Sequence, residues 1–254
     1  RCVLDFDALR AAIGPRTRLV IFNSPSNPVG WVAPEADQQR LLALAREVGF
    51  WLLADEVYER IYYAGEHEGA PAPSILRLAA REDPVIVVQS FSKAYCMTGW
   101  RLGWLVARED LASRAAQLNE FVVSHAASFA QKAGEVALAG GEEHVRLMVQ
   151  RYRQNRDLCL AGLSSIPGLS VPQPDGAFYL FPRVDGLDDS FAFCRALLRD
   201  QKVGVAPGVA FGEGGEGHFR LCYAVAPQLL EEALSRIGKF CAAGSARPLP
   251  ASGA

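Results

Sequence analysis

The sequence lacks paired cysteines and histidines at metal-ligand spacing. Its six cysteines are scattered, and no two of them form a CxxC pair. The four histidines do not lie at the short spacings that zinc sites use. These absences argue against a disulfide framework and against a metal site. They favour reduced thiols in a cytoplasmic enzyme.

Long hydrophobic runs and blocks of like charge are also missing. The longest apolar stretches are far shorter than a membrane span. The formal net charge is -2, with acidic and basic residues interspersed, so nothing favours nucleic acid or an anionic membrane as a partner. What remains is a chain of 254 residues, of which 50% are hydrophobic. Such a chain can bury the cores of one or two domains.

The stretch from Val85 to Arg101 carries the strongest chemical signal. Its first residues, VIVV, predict a buried strand. The polar segment QSFSK follows this run, and Lys93 is the last residue of that segment. A lysine held where a buried strand ends can lose part of its hydration, which frees its amine as a nucleophile. Arg101 can form a bidentate pair with a phosphate or a carboxylate. The stretch therefore suits a carbonyl cofactor with a phosphate, although for SFSK alone a solvated polar loop is the better interpretation.

Two further polar residues follow predicted strands. The strand at residues 18–22 stops at a proline loop that contains Asn27, and the strand at residues 50–54 ends at Asp55. Both therefore lie at carboxyl ends, which form the ligand side of an open α/β sheet. Taken alone, Asn27 fits an ordinary turn and Asp55 fits a helix cap. Near the other end of the chain, Arg220 alternates with apolar residues, which alone indicates a surface arginine of a strand.

Together these segments resemble a known family. SFSKAYCMTGWRLGW is similar to the cofactor-lysine segment of class I, fold-type I aminotransferases that use pyridoxal phosphate. Four further segments match in the family's order, NSPSNPVG and ADEVY before this segment and GAFY and FRLCY after it, so the resemblance covers nearly the whole chain. Val29 replaces the threonine that is commonest at its position, which is a mild departure.

The resemblance assigns roles to individual residues. Lys93 is implied to bind pyridoxal phosphate covalently and to be the catalytic general base and acid. Asp55 is implied to keep the pyridine nitrogen protonated, and Arg220 to clamp the substrate α-carboxylate. The resemblance places Phe178 and Tyr179 near the substrate, although both are equally suited to the core. Asn27 and Tyr58 are implied to bind the ring oxygen of the cofactor. The phosphate is implied to be bound by Ser90, Ser92 and Arg101.

The implied activity is transfer of an amino group between an α-amino acid and a 2-oxo acid, by a homodimer. A carbon–sulfur lyase or a cyclising synthase on the same fold would use the same residues. A non-catalytic regulatory domain of aminotransferase type is a third possibility, although nothing here resembles the DNA-binding module that such domains accompany. The family's segment before the asparagine loop, with its ring-stacking aromatic residue and part of the phosphate site, has no counterpart in the sequence. We therefore expect a fragment of a longer protein, inactive alone.

The order of the predicted elements indicates an α/β fold, with a mainly parallel, helix-covered sheet followed by a smaller α+β domain. We expect the large-domain part at 1–145, the small domain at 146–241 and a disordered tail at 242–254. Helices are predicted at 6–13, 36–48, 75–81, 110–139, 142–163, 191–200 and 228–240. Later strands are predicted at 102–107, 169–171, 177–184, 203–205 and 218–224. A GxGxxG match at 212–217 is rejected as a dinucleotide site, because β-type residues rather than a helix follow it.

Overall fold

A computed structural model describes residues 3–243 of the chain. Its first part is a four-stranded sheet in the order β1-β2-β3-β4. The first two pairings are parallel, whereas β4 runs antiparallel to β3, so the predicted α/β fold with a mainly parallel sheet is confirmed. The connection from β3 to β4 contains only single helical turns, and it returns the chain to the same edge of the sheet. The strands are β1 (Leu19–Asn23), β2 (Trp51–Asp55), β3 (Val85–Ser90) and β4 (Gly103–Ala107).

Two helices precede and cover this sheet. Helix α1 (Phe6–Ala12) begins at Asp5, whose carboxylate accepts bonds from two backbone N–H groups of the first turn. Helix α2 (Glu35–Val48) ends at Gly49, which takes the left-handed conformation with φ 85°. Leucines of α2 pack on fully buried residues of the sheet, and these side chains form one hydrophobic core. The predicted helix at 75–81 is only a 3-10 turn, Ile75–Arg77.

Helical structure dominates the middle of the chain. After the single turn α3 (Phe91–Ala94), the predicted helix at 110–139 is in fact two helices, α4 (Glu109–Val122) and α5 (Ser128–Gly140). Ser124 lies between them with φ 61°, a conformation that cannot continue a helix. Neither glycine nor proline marks this break, so the sequence gives no warning of it. Helix α6 (Glu142–Ser164) follows as predicted.

The carboxyl-terminal part is α+β, with short strands. An antiparallel sheet has the order β6-β9-β8, and β5 pairs with β7. The predicted strand at 177–184 is therefore divided into two short strands that belong to different sheets. Residues 203–205 are not a strand, because hydrogen-bonded pairing with β9 starts only at Ala206. These elements are β5 (Leu169–Ser170), β6 (Tyr179–Leu180), β7 (Arg183–Val184), α7 (Ser190–Gln201), β8 (Ala206–Pro207), β9 (Phe219–Cys222) and α8 (Pro227–Ala242).

A second hydrophobic core lies in this part of the chain, and it also includes Tyr58, Ile61 and Tyr63 from the segment after β2. The division into domains at 145/146 stays a prediction, and it falls within α6. Arg156 of α6 is buried, and its guanidinium carbon lies 4.7 Å from the Tyr63 ring centroid. A disordered tail was predicted at 242–254. Of this range, Ala242 belongs to α8, and residues 244–254 lie outside the described residues.

Candidate active site

Lys93 lies at the carboxyl end of β3, where a serine fixes the local backbone. The Ser90 hydroxyl caps α3 by accepting a 3.0 Å hydrogen bond from the Ser92 backbone N–H. The Nζ atom of Lys93 lies 5.3 Å from the ring centroid of Tyr58 and 6.0 Å from that of Phe178. Among the described residues, Lys93 forms no ion pair with a carboxylate. Its amine is therefore available for a ligand.

Asp55 ends the neighbouring strand β2 and is half-buried. Its carboxylate accepts one hydrogen bond, of 3.3 Å, from the Val57 backbone N–H. Burial raises the pKa of Asp55, and this effect is opposed by the Val57 hydrogen bond and by the positive charge of Lys93. The segment after Asp55 is a turn and not a helix, so its carboxylate caps no helix. A carboxylate that accepts only this one hydrogen bond can pair with a protonated ring nitrogen of a ligand.

Tyr58 and Tyr179 connect the lysine to the second cationic group of the site. Their hydroxyl oxygens are 3.0 Å apart and buried. Burial and this hydrogen bond raise the pKa of Tyr58 well above its ordinary value, so the phenol remains a neutral hydrogen-bond donor. On the other side, the guanidinium carbon of Arg220 lies 4.4 Å from the Tyr179 ring centroid. The tyrosine pair thus spans the space between Lys93 and Arg220.

Arg220 projects from β9, where its neighbours Phe219 and Leu221 are buried, and the predicted alternation is confirmed. Its Nη1 donates a 2.8 Å hydrogen bond to Oδ1 of Asn27. Its Nε is buried without a hydrogen-bond partner, and among the described residues it forms no ion pair. A half-exposed guanidinium with no ion pair in the described residues and one buried, unpartnered Nε is a site for an anion such as a carboxylate.

The loop that carries Asn27 is held at both ends. The Asn27 backbone N–H donates to Oδ1 of Asn23, whose Nδ2 donates to the carbonyl oxygen of Asp55 at 3.0 Å. Gly30, with φ 66°, accepts a 2.9 Å bond from the Gly176 backbone N–H. The loop is thus tied to β2 and to the turn before β6, and this explains how residues far apart in sequence meet.

Arg101 is the predicted site residue with the weakest connection to this group. Its Nη1 donates to the Thr98 carbonyl oxygen at 2.9 Å, and its side chain faces a cavity that His125 also lines. No hydrogen bond joins Arg101 to Lys93 in the described part of the chain. Its neighbour Leu102, however, accepts hydrogen bonds from the Ser90 hydroxyl and the Phe91 backbone. Arg101 thus stays a candidate phosphate ligand by its position beside Ser90.

Two residues near the site were missed by sequence reasoning. Glu56 is buried, and its carboxylate accepts a 3.0 Å bond from the Ile75 backbone N–H and a 3.4 Å bond from Gln89. It ties the end of β2 to β3 one residue before Ser90. Phe211 contacts Arg220 from a glycine-rich turn, with 4.9 Å between the guanidinium carbon and the ring centroid. Glu56 follows Asp55 within ADEVY and could have been singled out, whereas no sequence pattern marked Phe211.

Comparison with known proteins decides the family. The family described as Aminotransferase class I and II matches residues 1–237. The chain belongs to this family. The aspartate aminotransferase of Pyrococcus horikoshii is 35% identical over 238 residues, which are 92% of this chain and 59% of that protein. Aromatic-amino-acid aminotransferase 2 of Thermococcus litoralis is 36% identical over 240 residues, 93% of this chain and 60% of that protein.

Solved structures agree with this placement. The crystal structure of the aromatic aminotransferase from Pyrococcus horikoshii OT3 matches with a TM-score of 0.89 and 34% identity, over 96% of this chain and 65% of that one. The resemblance to class I aminotransferases is thus confirmed. The chain spans less than two thirds of the length of these relatives.

Enzymes of this family use pyridoxal phosphate, and the residues described above fit that cofactor. Lys93 offers an amine without an anionic partner in the described part of the chain, and Asp55 offers a half-buried carboxylate with one hydrogen bond.

Within residues 3–243, no helix is long and apolar enough to cross a bilayer.

Proposed function

We propose that this aminotransferase-family protein moves an amino group between an α-amino acid and a 2-oxo acid, with pyridoxal phosphate as cofactor. The arrangement around the two tyrosines carries this proposal. Lys93, next to Asp55, lies on the Tyr58 side, and Arg220, without a carboxylate partner in the described part, lies on the Tyr179 side. An amine and a guanidinium without an ion pair in the described residues are therefore linked through one pair of tyrosines, and an α-amino acid substrate requires both groups near each other.

Each residue then has a task that its surroundings permit. Pyridoxal phosphate, when bound, supplies an aldehyde that condenses with amines and a ring that withdraws electrons from the substrate α-carbon. Lys93 holds the cofactor and afterwards carries the proton to and from that carbon. Asp55 stabilises the positive charge of the ring nitrogen through its own negative charge. Tyr58, kept neutral by burial, would present its phenol to the ring oxygen.

The remaining contacts orient the substrate and the cofactor. Asn27 steadies the guanidinium of Arg220, which would bind the α-carboxylate through two parallel N–H donors. The amide nitrogen of Asn27 would donate to the ring oxygen. Ser90 and Arg101 bind the phosphate, assisted by Ser92 at the same turn.

We also propose that the whole protein works as a homodimer in the cytoplasm. The support for the dimer is the family resemblance, and the support for the location is the scattered cysteines.

The relatives favour amino transfer over the other reactions. Those that match are named for aspartate, aromatic and other aminotransferases, and these names support neither the lyase nor the regulatory alternative. The test uses the complete protein, of which residues 1–254 are expected to be a fragment: it is loaded with pyridoxal phosphate and supplied with amino acids and 2-oxoglutarate, and glutamate is measured. Formation of pyruvate and ammonia without dependence on the oxo acid indicates a lyase. Absence of both reactions, with the cofactor bound, indicates a regulatory domain.

A further inference from the structure

Phe211 contacts Arg220, and the proposed function leaves it without a task. The guanidinium carbon lies 4.9 Å from its ring centroid and 4.4 Å from that of Tyr179. A guanidinium above an aromatic ring is attracted by the negative face of the ring. With the hydrogen bond to Asn27, three groups from three separate segments hold this side chain.

The position of the Phe211 ring is itself determined by packing. The ring meets Phe181 edge to face, with centroids 5.8 Å apart and planes at 90°. Phe181 in turn stacks on the His218 ring at 4.9 Å, with planes only 6° apart. Phe181 is buried, so it provides a fixed support for Phe211. This support places one face of the Phe211 ring toward the guanidinium.

The glycine-rich segment that resembles GxGxxG folds the backbone under Phe211. Phe211 ends the 3-10 turn Gly208–Phe211, and the chain then returns until Gly215 touches Gly208. A Cβ atom on Gly208 would lie 1.9 Å from the Gly215 carbonyl oxygen, and one on Gly215 would lie 2.1 Å from the Gly208 carbonyl oxygen. Only glycine allows this approach. The segment that was rejected as a dinucleotide site thus builds the turn that carries Phe211.

We propose that Phe211 is a positioning residue that holds the Arg220 guanidinium in the orientation required for the substrate α-carboxylate. This inference rests on the proposed function of Arg220. The Nε atom of Arg220 is buried without a partner, so the tilt of the guanidinium plane decides whether a carboxylate can engage two parallel N–H groups. Phe211 sets that tilt and acts through Arg220, without contact with the reacting atoms.

The experiment uses the full protein loaded with pyridoxal phosphate and compares three variants with the wild type. Phe211→Leu removes the ring and keeps apolar volume, and we expect kcat/KM for every amino acid to fall about two- to tenfold, the size of one cation–π contact. Phe211→Tyr keeps the ring face and restores the wild-type value. Phe191→Leu is the matched control, because Phe191 is 56% exposed on α7 and lies 5.9 Å from a different guanidinium, that of Arg195.

A double-mutant cycle separates positioning from a general effect on the fold. The affinity for succinate, which does not react, is measured by calorimetry for Phe211→Leu, Arg220→Ala and the double variant. If Phe211 acts through Arg220, its substitution has no further effect once Arg220 is absent. Additive losses, or wild-type affinity in Phe211→Leu, overturn the inference. If Phe211→Leu does not fold by circular dichroism, Phe211→Met replaces it in the same cycle.

The two hypotheses fail in different ways. Unchanged succinate affinity in Arg220→Ala shows that Arg220 is not the carboxylate site, and both the proposed role of Arg220 and this inference are then wrong. A loss of affinity in Arg220→Ala without any loss in Phe211→Leu leaves the role of Arg220 intact and overturns only the inference about Phe211.

Discussion

Arg220 and Asn27 are joined by a 2.8 Å hydrogen bond between Nη1 and Oδ1, across 193 positions of sequence. This contact connects β9 to the loop after β1. The same loop is bonded through Asn23 to the end of β2, where Asp55 lies. Residues implied to touch the cofactor and a residue implied to touch the substrate therefore form one connected unit.

Replacing the amide of Asn27 by a carboxylate tests this connection. In Asn27→Asp the new negative charge pairs with Arg220 and competes with the substrate carboxylate. A hydrogen bond to a charged group contributes about 1.5–3 kcal/mol, so we expect kcat/KM to fall about ten- to a hundredfold. Asn27→Ala is the control, because it leaves the guanidinium free and should cost less. Steady-state kinetics with several amino acids measure both. Equal losses in the two variants would contradict competition.

Lys93 is the predicted point of covalent attachment. After incubation with pyridoxal phosphate and reduction with borohydride, the wild-type protein should gain the mass of one cofactor on the peptide that contains Lys93. Lys93→Ala should gain none there and lose nearly all turnover. The control is Lys132→Ala, because Lys132 is exposed and paired with Glu135 on α5. Peptide mass spectrometry decides the outcome, and an unchanged adduct in Lys93→Ala refutes the assignment.

Asp55→Asn should impair chemistry while stabilising the cofactor-free protein. Burial raises the pKa of Asp55 above its ordinary 3.8, so the folded protein holds this proton more tightly than the unfolded chain does. Its contribution to stability is therefore complete below about pH 3.8 and is lost as pH rises through the folded-state pKa. We expect a higher melting temperature for Asp55→Asn at pH 8 and no gain at pH 3.5, with proton removal from the substrate much slower at pH 8.

A melting temperature that rises equally at both pH values would show that Asp55 is not desolvated in the folded state. A single-turnover rate within a few-fold of the wild type would show that the carboxylate has no part in chemistry. Glu120→Gln, an exposed change on α4, is the control for loss of one negative charge.

Gly30 tests the contact between the asparagine loop and the turn before β6. A Cβ atom there would lie 2.3 Å from Cβ of Pro174 and 2.7 Å from the Gly176 carbonyl oxygen, and φ is 66°. Gly30→Ala should therefore lower both the unfolding free energy and the substrate affinity. Gly168→Ala shares the positive φ but meets no atom within 4 Å, so it measures backbone strain alone, about 1 kcal/mol. Urea denaturation compares the two, and equal losses would show that the Pro174 contact is unimportant.

The sequence predicted where those candidate site residues lie that are on or beside regular strands. The strand ends at Asn23, Asp55 and Ser90 were predictable because apolar runs stop there. What could not be predicted depends on contacts between segments. The Arg220–Asn27 bond, the tyrosine pair and the approach of Phe211 all arise from how the carboxyl-terminal part folds against the sheet, and no local pattern encodes that.

Local errors have a similar origin. The break between α4 and α5 occurs at Ser124, a residue type that only rarely takes positive φ. The burial of Arg156 depends on the Pro174 carbonyl oxygen and the Tyr63 ring, which are supplied by other segments. Helical periodicity describes an element by itself and cannot show which neighbours will cover it.

The last prediction concerns an apolar surface on α4 and α5. No residue of α4 is buried, and Phe121 and Phe129 are 90% and 72% exposed. Monomeric proteins rarely expose such surfaces to water. We therefore expect residues 1–254, expressed alone, to self-associate, to bind pyridoxal phosphate weakly and to show negligible turnover. Light scattering should detect less association in Phe121→Ser/Phe129→Ser than in Phe191→Ser, which changes an exposed phenylalanine on α7. If residues 1–254 were monodisperse and had ordinary activity, the prediction would be wrong, because the apolar surface of α4 and α5 would then be tolerated in water.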